Sequence, residues 1–273
     1  MPSERTAVGS VVSLWRYPVK SMQGEELNAT QVTNRGLLGD RAFALLDAEG
    51  GRVASAKNPR KWPGLFDYRA VFLRSPQAGP PPPVRITLPD GREVSNEQPD
   101  CDQILSAALG RMVSLCGAAP QAPVLEEYWP DVEGLARRDA VTDEAMPSGS
   151  FFDLAAVHVL TTATLDRLRE LYPAGRFEVQ RFRPNIVVSC AAGETGFVEQ
   201  GWVGRTLFLG TEVRLEVTGP CPPCVMTTLP QSDLPADRGI LRTAVQHGGG
   251  HVGIYAKVVQ GGSLRRGDLV RVD

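Results

Sequence analysis

Short runs of β-branched and aromatic residues, separated by turn-forming residues, are the feature that most restricts the fold of this chain. The N-terminal half contains VVSLWRY, RAFALLD, RVASA, RAVFL and VRITL, and the C-terminal half contains NIVVS, TLFLG, VRLEV, HVGIYAKVV and DLVRV. Runs of this length and composition are typical of strands. Because such runs are frequent and helical patterns are few, the sequence predicts an α+β fold that is predominantly β, not a doubly wound sheet.

The first of two predicted helices follows Asp100, a preferred N-cap residue, with Gln103 three positions later. Gly110 is its stop signal. Apolar residues at helical spacing form the face that we expect to be buried: Ile104, Leu105, Ala108 and Leu109. We therefore expect one short helix that packs on the predicted strands.

The second predicted helix covers residues 163–172. Asp166 is expected to complement the positive end of the helix dipole in the first turn. Pro173 and Gly175 are expected to end the helix. Its buried face consists of Leu165, Leu168 and Tyr172.

A weakly patterned segment divides the chain. Residues 118–150 carry prolines, glycines and acidic residues without clear hydrophobic periodicity, which indicates a linking region. We therefore expect two β-rich domains, residues 1–120 and residues 121–273.

Composition excludes several classes of protein. Apolar residues make up 42% and charged residues 22% of the 273 residues, as in globular domains that need no metal or disulfide to fold. The net charge of −2 gives no field for non-specific nucleic-acid binding. The stretch MPSERTAVGS lacks the apolar run of a signal peptide, and no later stretch has the roughly 18 apolar residues of a membrane span. We therefore expect a cytoplasmic protein with reduced thiols that binds neither nucleic acid nor membrane.

Two of the five cysteines lie three positions apart in GPCPPCVMTT, Gly219–Thr228. Such a pair is compatible with a redox disulfide, a zinc site that includes His247 and His251, a soft ligand for a heavier metal, or buried structural thiols. The residues alone leave these alternatives open. The two prolines hold the loop extended after the strand-like run VRLEV, so the thiols of Cys221 and Cys224 are held in fixed directions.

Three further segments indicate an anion site. YPVKSMQG contains Lys20 and Ser21, LGDRAF contains Arg41, and RFRPNIVV contains Arg181, Arg183 and Asn185. Cationic, hydroxyl and amide groups are the donors that a phosphate requires. In an Arg-x-Arg pattern we expect one paired and one exposed arginine.

Taken in order, several segments resemble the MOSC superfamily, the molybdenum-cofactor sulfurase C-terminal domain preceded by an accompanying β-barrel domain. The matching segments are YPVKS, GDRAF, FFDLAAVHVLTTATLDRL, RFRPNIVV, GPCPPCVMTT and GGSLRRGDLV. The resemblance runs from about Ser13 to Val272 and implies two β-barrel-like units with a few short helices. Members similar to this chain, among them amidoxime-reducing proteins, bind a molybdopterin-type molybdenum cofactor and reduce N-hydroxylated compounds.

The resemblance also implies roles for individual residues. Cys224 matches the cysteine that ligates molybdenum, a role that suits a soft thiolate. Asp153 matches a position near the pocket and is expected to take part in catalysis. The remaining matches imply cofactor binding by Lys20, Ser21, Arg41, Thr161, Arg183 and Asn185.

Two departures from the family pattern affect the expected reaction. Pro223 stands where similar members have a basic residue beside the metal ligand, which removes a charge next to the pocket. Cys101, Cys116 and Cys190 lack iron–sulfur spacing. Electrons are therefore expected from a separate reductase, a flavin or iron–sulfur protein.

The expected function is that of a molybdenum-dependent oxidoreductase, which takes oxygen from a small N-hydroxylated substrate. The alternative belongs to a different class: a carrier that binds the cofactor, or transfers sulfur through a Cys224 persulfide, without substrate turnover. Molybdenum content and turnover of a benzamidoxime-type substrate separate the two.

Overall fold

The structure, a computed structural model, describes residues 6–273. Residues 1–5, which belong to the N-terminal stretch without a signal-peptide pattern, lie outside the described residues. Strands are the main element, and the predicted class, predominantly β with a few short helices, is confirmed. Within residues 6–273, no helix is both long and apolar enough to span a bilayer.

Eighteen strands follow one another in the described part of the chain: β1 (Thr6–Arg16), β2 (Glu25–Leu27), β3 (Ala29–Thr33), β4 (Gly36–Leu37), β5 (Ala44–Asp47), β6 (Arg69–Phe72), β7 (Val84–Thr87), β8 (Glu93–Ser95), β9 (Val113–Cys116), β10 (Val124–Trp129), β11 (Ala140–Ala145), β12 (Val157–Thr161), β13 (Ile186–Cys190), β14 (Thr206–Leu209), β15 (Val213–Pro220), β16 (Ile254–Gln260), β17 (Gly262–Arg265) and β18 (Leu269–Val272). The same residues form four α-helices: α1 (Cys101–Leu109), α2 (Thr162–Leu171), α3 (Val179–Phe182) and α4 (Arg238–His247). Short 3-10 turns cover Leu65–Asp67, Val198–Trp202 and Val225–Thr228.

Seven strands form a closed barrel in the order β13-β12-β16-β15-β14-β18-β1, and β1 pairs again with β13. Neighbouring strands are antiparallel except β12 and β13, which are parallel. The closing strand β1 bends through two bulges, since it pairs with β18 on one side and β13 on the other. At Gly9 a Cβ atom would lie 1.9 Å from the carbonyl oxygen of Ser189, so the close approach of β1 to β13 requires glycine.

Alternation along the strands fills the interior of the barrel. In β15, Val213 and Leu215 are buried and Arg214 between them is exposed, because successive side chains of a strand point to opposite faces. Leu14 of β1 and Ile186 of β13 face each other across the closing edge and are both fully buried. The strand runs predicted in the C-terminal half are confirmed.

The N-terminal segment forms a second core from small sheets and α1. The sheets β6-β7-β8 and β5-β9 surround Trp62, Phe66 and Leu105. Met226, two residues beyond the cysteine pair, packs in this core as well, so the cysteine loop lies where the barrel meets the N-terminal sheets. The domain division at residue 120 stays a prediction, and β1 and β3 pair with strands from the C-terminal segment.

The structure corrects two expectations about extended segments. The linking region, residues 118–150, contains the hairpin β10–β11. One face of this hairpin lines a cavity and carries Glu127 and Glu144, which is why the hydrophobic pattern of the segment is weak. RVASA forms no strand: Val53 makes only isolated bridges, because the chain turns at Asn58 soon afterwards.

Both predicted helices are confirmed, with corrections at their ends. Asp100 precedes α1 but its side chain makes no capping hydrogen bond, and Ala108 is exposed. The side chain of Thr161 caps α2, so Asp166 lies beyond the first turn. Sequence reasoning missed α4, since Gly239 near its start weakens the helical pattern.

Candidate functional site

The predicted site residues converge on a cavity of about 230 Å³ between the barrel and the N-terminal core. Those that line it are Lys20, Ser21, Arg41, Asp153, Arg183, Asn185 and Cys224. They come from the turns around β1 and β5, the segments before β12 and β13, and the loop after β15. The barrel therefore gathers residues that are far apart in sequence.

Two sequence expectations find no place in this cavity. Thr161 is fully buried at the start of α2, where its hydroxyl donates to Glu199 Oε2 at 2.6 Å, so the structure does not bring it to the other site residues. The zinc alternative lacks a ligand set: among residues 6–273, no three His, Cys, Asp or Glu side chains are placed to hold a metal together. His247 instead ends α4 at the surface.

Arg183 is a buried cation without a carboxylate partner among the described residues. Its Nη1 donates to the carbonyl oxygen of Met22 at 2.8 Å, and its guanidinium carbon lies 4.1 Å from the centroid of the Tyr17 ring. Burial lowers the pKa of Arg183 to about 10, which leaves it charged at neutral pH. A buried charge without a counter-ion is costly, so this arrangement favours a bound anion. Arg181 is buried too, which corrects the expectation of one exposed arginine.

Four charged side chains, two buried and two partly buried, lie along one wall of the cavity. Lys20 pairs with Asp153, and Lys57 Nζ lies 4.0 Å from Asp153 Oδ2 and 3.0 Å from Glu127 Oε2. Burial opposes the charge on Asp153, but the two lysines hold the pKa of this carboxyl below its usual range. Burial also opposes the charge on Lys57, but Asp153 and its other neighbours hold the pKa of Lys57 above its usual range. Asp153 therefore stays ionised and orients both lysines.

Sequence reasoning missed Lys57 and Glu127. The available signal for Lys57 is that lysine is rare in this chain, since four of its 29 basic residues are lysines. Glu127 gave no signal, because it lies in the segment interpreted as a linker.

Asp40 was also missed, although it lies within the motif GDRAF. Its carboxylate accepts hydrogen bonds from Tyr17 N at 2.8 Å, from Asn185 Nδ2 at 2.9 Å and from Arg41 Nη1. Asn185 Oδ1 in turn accepts from the backbone N–H of His158 at 3.1 Å. Asp40 thus holds two of the predicted binding residues, Arg41 and Asn185, in place.

Three of the lining residues have left-handed backbone conformations: φ is 61° at Ser21, 48° at Arg41 and 53° at Arg183. Five non-glycine residues in the described part of the chain have positive φ, so most of them lie at this one cavity. Such conformations cost free energy and concentrate at functional sites. The backbone therefore supports the same site independently of the side chains.

Cys221 and Cys224 follow β15 directly, and both line the cavity. Cys221 is anchored on both sides: its N–H donates to Gly253 O and its carbonyl accepts from Val252 N, each at 2.9 Å. The hydroxyl of Thr227 donates to Cys224 O at 3.0 Å, which stabilises the turn after the second thiol. Burial raises the pKa of both thiols to about 12, and neither is in a disulfide.

His158 makes the stability of this region depend on pH. It lines the cavity, its Nε2 lies 3.2 Å from Val252 O, and burial lowers its pKa from 6.5 to about 4. Between these values the unfolded state binds a proton that the folded state does not, so stability falls as the pH falls. We expect the free energy of unfolding to drop by about 1 kcal/mol between pH 7 and pH 5.5, measured by urea denaturation.

His158→Gln should remove most of this pH dependence, whatever its effect on stability at pH 7. The control His247→Gln changes an exposed histidine and should keep it. The same pH dependence in the parent protein and in His158→Gln would contradict the prediction.

Comparisons with known proteins match two separate parts of the chain to known families. Residues 148–271 match the family described as MOSC domain, and residues 8–72 match the MOSC N-terminal beta barrel domain. The human protein named mitochondrial amidoxime reducing component 2 is 26% identical over 298 residues, covering 96% of this chain and 83% of the human protein. The protein of the same name from Bos taurus is 27% identical with the same coverage.

Among solved structures, the YUAD protein from Bacillus subtilis gives a TM-score of 0.49 at 14% sequence identity. The match covers 98% of this chain and 97% of that protein. The two family matches lie at opposite ends of the chain, in the order that the sequence motifs predict. This chain belongs to the MOSC family.

Proposed function

We propose that this protein is a molybdenum-dependent reductase of small N-hydroxylated compounds, with the cofactor in the cavity between the barrel and the N-terminal core. The observation that carries the proposal is that one cavity holds the partly buried thiol of Cys224 and the buried guanidinium of Arg183, which has no carboxylate partner among the described residues. The names of the similar mammalian proteins, amidoxime reducing components, support the class of reaction.

The residues present fit a molybdopterin-type group. Such a group carries a phosphate, and the uncompensated charge of Arg183, together with Lys20 and Ser21, supplies buried donors for it. It also carries a soft metal, for which the thiolate of Cys224 is a suitable ligand. Arg41 and Asn185, fixed by Asp40, would line the same site.

The reaction itself needs electrons and protons in equal number. Reduction of R=N–OH to R=NH consumes two electrons and two protons, breaks the N–O bond and releases water. The bound cofactor would supply the two-electron chemistry. The chain binds and orients the substrate, and its hairpin β10–β11 encloses the cavity with Trp129 and Glu127.

Asp153 is proposed to act in this reaction through the two lysines beside it. Its carboxylate lies between Lys20 and Lys57 on the cavity wall, so one cation lies on each side of it. Loss of Asp153 would leave both lysines without a shared counter-ion.

The two cysteines should respond differently to replacement. Serine is a harder donor than thiolate and hardly ionises at neutral pH. We expect Cys224→Ser to abolish reduction of a benzamidoxime-type substrate with an artificial electron donor while the protein stays folded. Cys221→Ser, whose position is fixed by backbone bonds to residues 252 and 253, should retain much of the activity.

Metal analysis of the same proteins separates the proposed enzyme from the alternative carriers. Stoichiometric molybdenum with turnover supports the proposal. Molybdenum without turnover would identify a cofactor carrier, and a persulfide on Cys224 without molybdenum would identify a sulfur carrier. Equal loss of activity in the two serine variants would show that the metal ligand is misassigned.

Arg183 offers a second test, directed at the anion-binding end. Arg183→Ala should weaken cofactor retention by about 10- to 100-fold, since a hydrogen bond to a charged group is worth about 1.5–3 kcal/mol. The readout is molybdenum per protein after gel filtration, with circular dichroism to show that the fold is kept. Arg266→Ala, which removes a half-exposed arginine paired with Glu26, is the control and should retain the cofactor.

Electron supply is proposed to come from a separate flavin or iron–sulfur reductase. The purified, molybdenum-loaded chain should therefore show no turnover with NADH as sole donor, and adding such a reductase should restore it. Robust turnover with NADH alone would refute this part of the proposal. A cytoplasmic location stays a prediction.

A further inference from the structure

Arg181 is almost completely buried, with 1% of its surface exposed, and its guanidinium is bonded to backbone carbonyls instead of carboxylates. It makes four hydrogen bonds: Nε to Arg176 O at 2.7 Å, Nη1 to Thr227 O and Leu229 O at 3.2 Å each, and Nη2 to Pro235 O at 2.8 Å. Among the described residues it has no ion-pair partner. A buried arginine used in this way fixes the chain segments that supply the carbonyls.

Three of these carbonyls belong to one loop, residues 225–235, which runs from Cys224 to α4. This loop has little regular structure: a single 3-10 turn, Val225–Thr228, and an isolated bridge between Gln231 and Leu234. Backbone bonds hold its two ends, with Thr227 N donating to Cys224 O at 3.1 Å. Arg181 ties the middle of the loop to α3.

The same short helix reaches the other end of the cavity. Arg183 follows α3 directly and donates to the carbonyl oxygen of Met22, next to Lys20 and Ser21. Arg181 and Arg183 are two residues apart, so one segment contacts both the loop that carries the thiol and the turn that carries the anion donors. The separation of these two ends is therefore set by α3.

We propose that Arg181 is a positioning residue, which holds the Cys224 loop at a fixed place relative to the anion-binding end of the cavity. Its effect on the loop is independent of any ligand. Its effect on a metal centre rests on the proposed function, because it requires that both ends bind one cofactor. Lysine cannot replace it, since a single ammonium nitrogen cannot span carbonyls on several sides of a planar guanidinium.

The first test uses the metal-free protein and the thiols as reporters. Alkylation by iodoacetamide is followed residue by residue with mass spectrometry in Arg181→Lys and Arg181→Met. We expect Cys224 to react about tenfold faster in both variants, since a locally loosened loop opens more often than the rest of the protein. Cys101 should be unchanged, because it is buried in α1 within the N-terminal core and reports global opening.

Arg16→Lys is the matched control. Arg16 is also buried and its Nη1 donates to Leu38 O at 3.2 Å; it differs from Arg181 in pairing with Glu25, and it does not contact the cysteine loop. This variant should leave the alkylation rate of Cys224 unchanged. If Cys224 and Cys101 accelerate together in Arg181→Lys, or if neither accelerates, Arg181 has no specific positioning role.

The second test uses the molybdenum-loaded protein and the electron paramagnetic resonance signal of its Mo(V) state, which depends on the geometry of the thiolate ligand. Arg181→Lys should change this signal and Arg16→Lys should not. An unchanged signal in a loaded Arg181→Lys protein would overturn the link between Arg181 and the metal centre. If no form of the protein takes up molybdenum but Cys224 is selectively exposed in the first test, the proposed function fails and the positioning of the loop stands.

Discussion

The register between β1 and β13 is the constraint on which the rest of the site depends. Leu14 faces Ile186 across the closing edge of the barrel, and Trp15 N donates to Asn185 O at 2.8 Å. Residues that follow β1 are therefore placed beside residues that precede β13. A shift by one position would turn every side chain of β1 to the opposite face. Burial of the aliphatic side chains inside the barrel therefore also fixes the strand register that brings the polar residues of the cavity together.

The two buried arginines differ in how far the protein itself satisfies their hydrogen-bond donors and their charge. Arg181 finds four carbonyls, so its donors are used within the protein. Arg183 finds one carbonyl and two aromatic rings, and lacks a counter-ion among the described residues. In both cases burial lowers the pKa of the guanidinium. What separates them is how far the protein itself satisfies the buried group, and that cannot be read from an Arg-x-Arg pattern.

Much of the fold could be predicted because six of the seven barrel strands coincide with local runs of β-branched and other apolar residues, although β12 was not among the predicted runs. The β10–β11 hairpin could not, since its cavity face replaces the expected apolar residues with Glu127 and Glu144. The site residues to which the family pattern assigns a role were identified one by one. Lys57, outside the motifs, and Asp40, inside GDRAF but without an assigned role, emerge only from their contacts with Asp153 and Asn185. Thr161 shows the opposite error: a motif residue whose hydroxyl is used to cap α2. Local sequence patterns predict strands well, but contacts between residues that are far apart in sequence are seen only in the structure.

Closure of the barrel joins the two ends of the described chain, with Thr6 paired to Val272. During synthesis, the edge of β1 that pairs with β18 stays unpaired until β18 has left the ribosome. Pairings of such long sequence separation are slow to form, and an unpaired strand edge is prone to association with other chains. Closure of the barrel is therefore delayed until β18 has been made, and nascent chains that stop before β18 lack one of its seven strands.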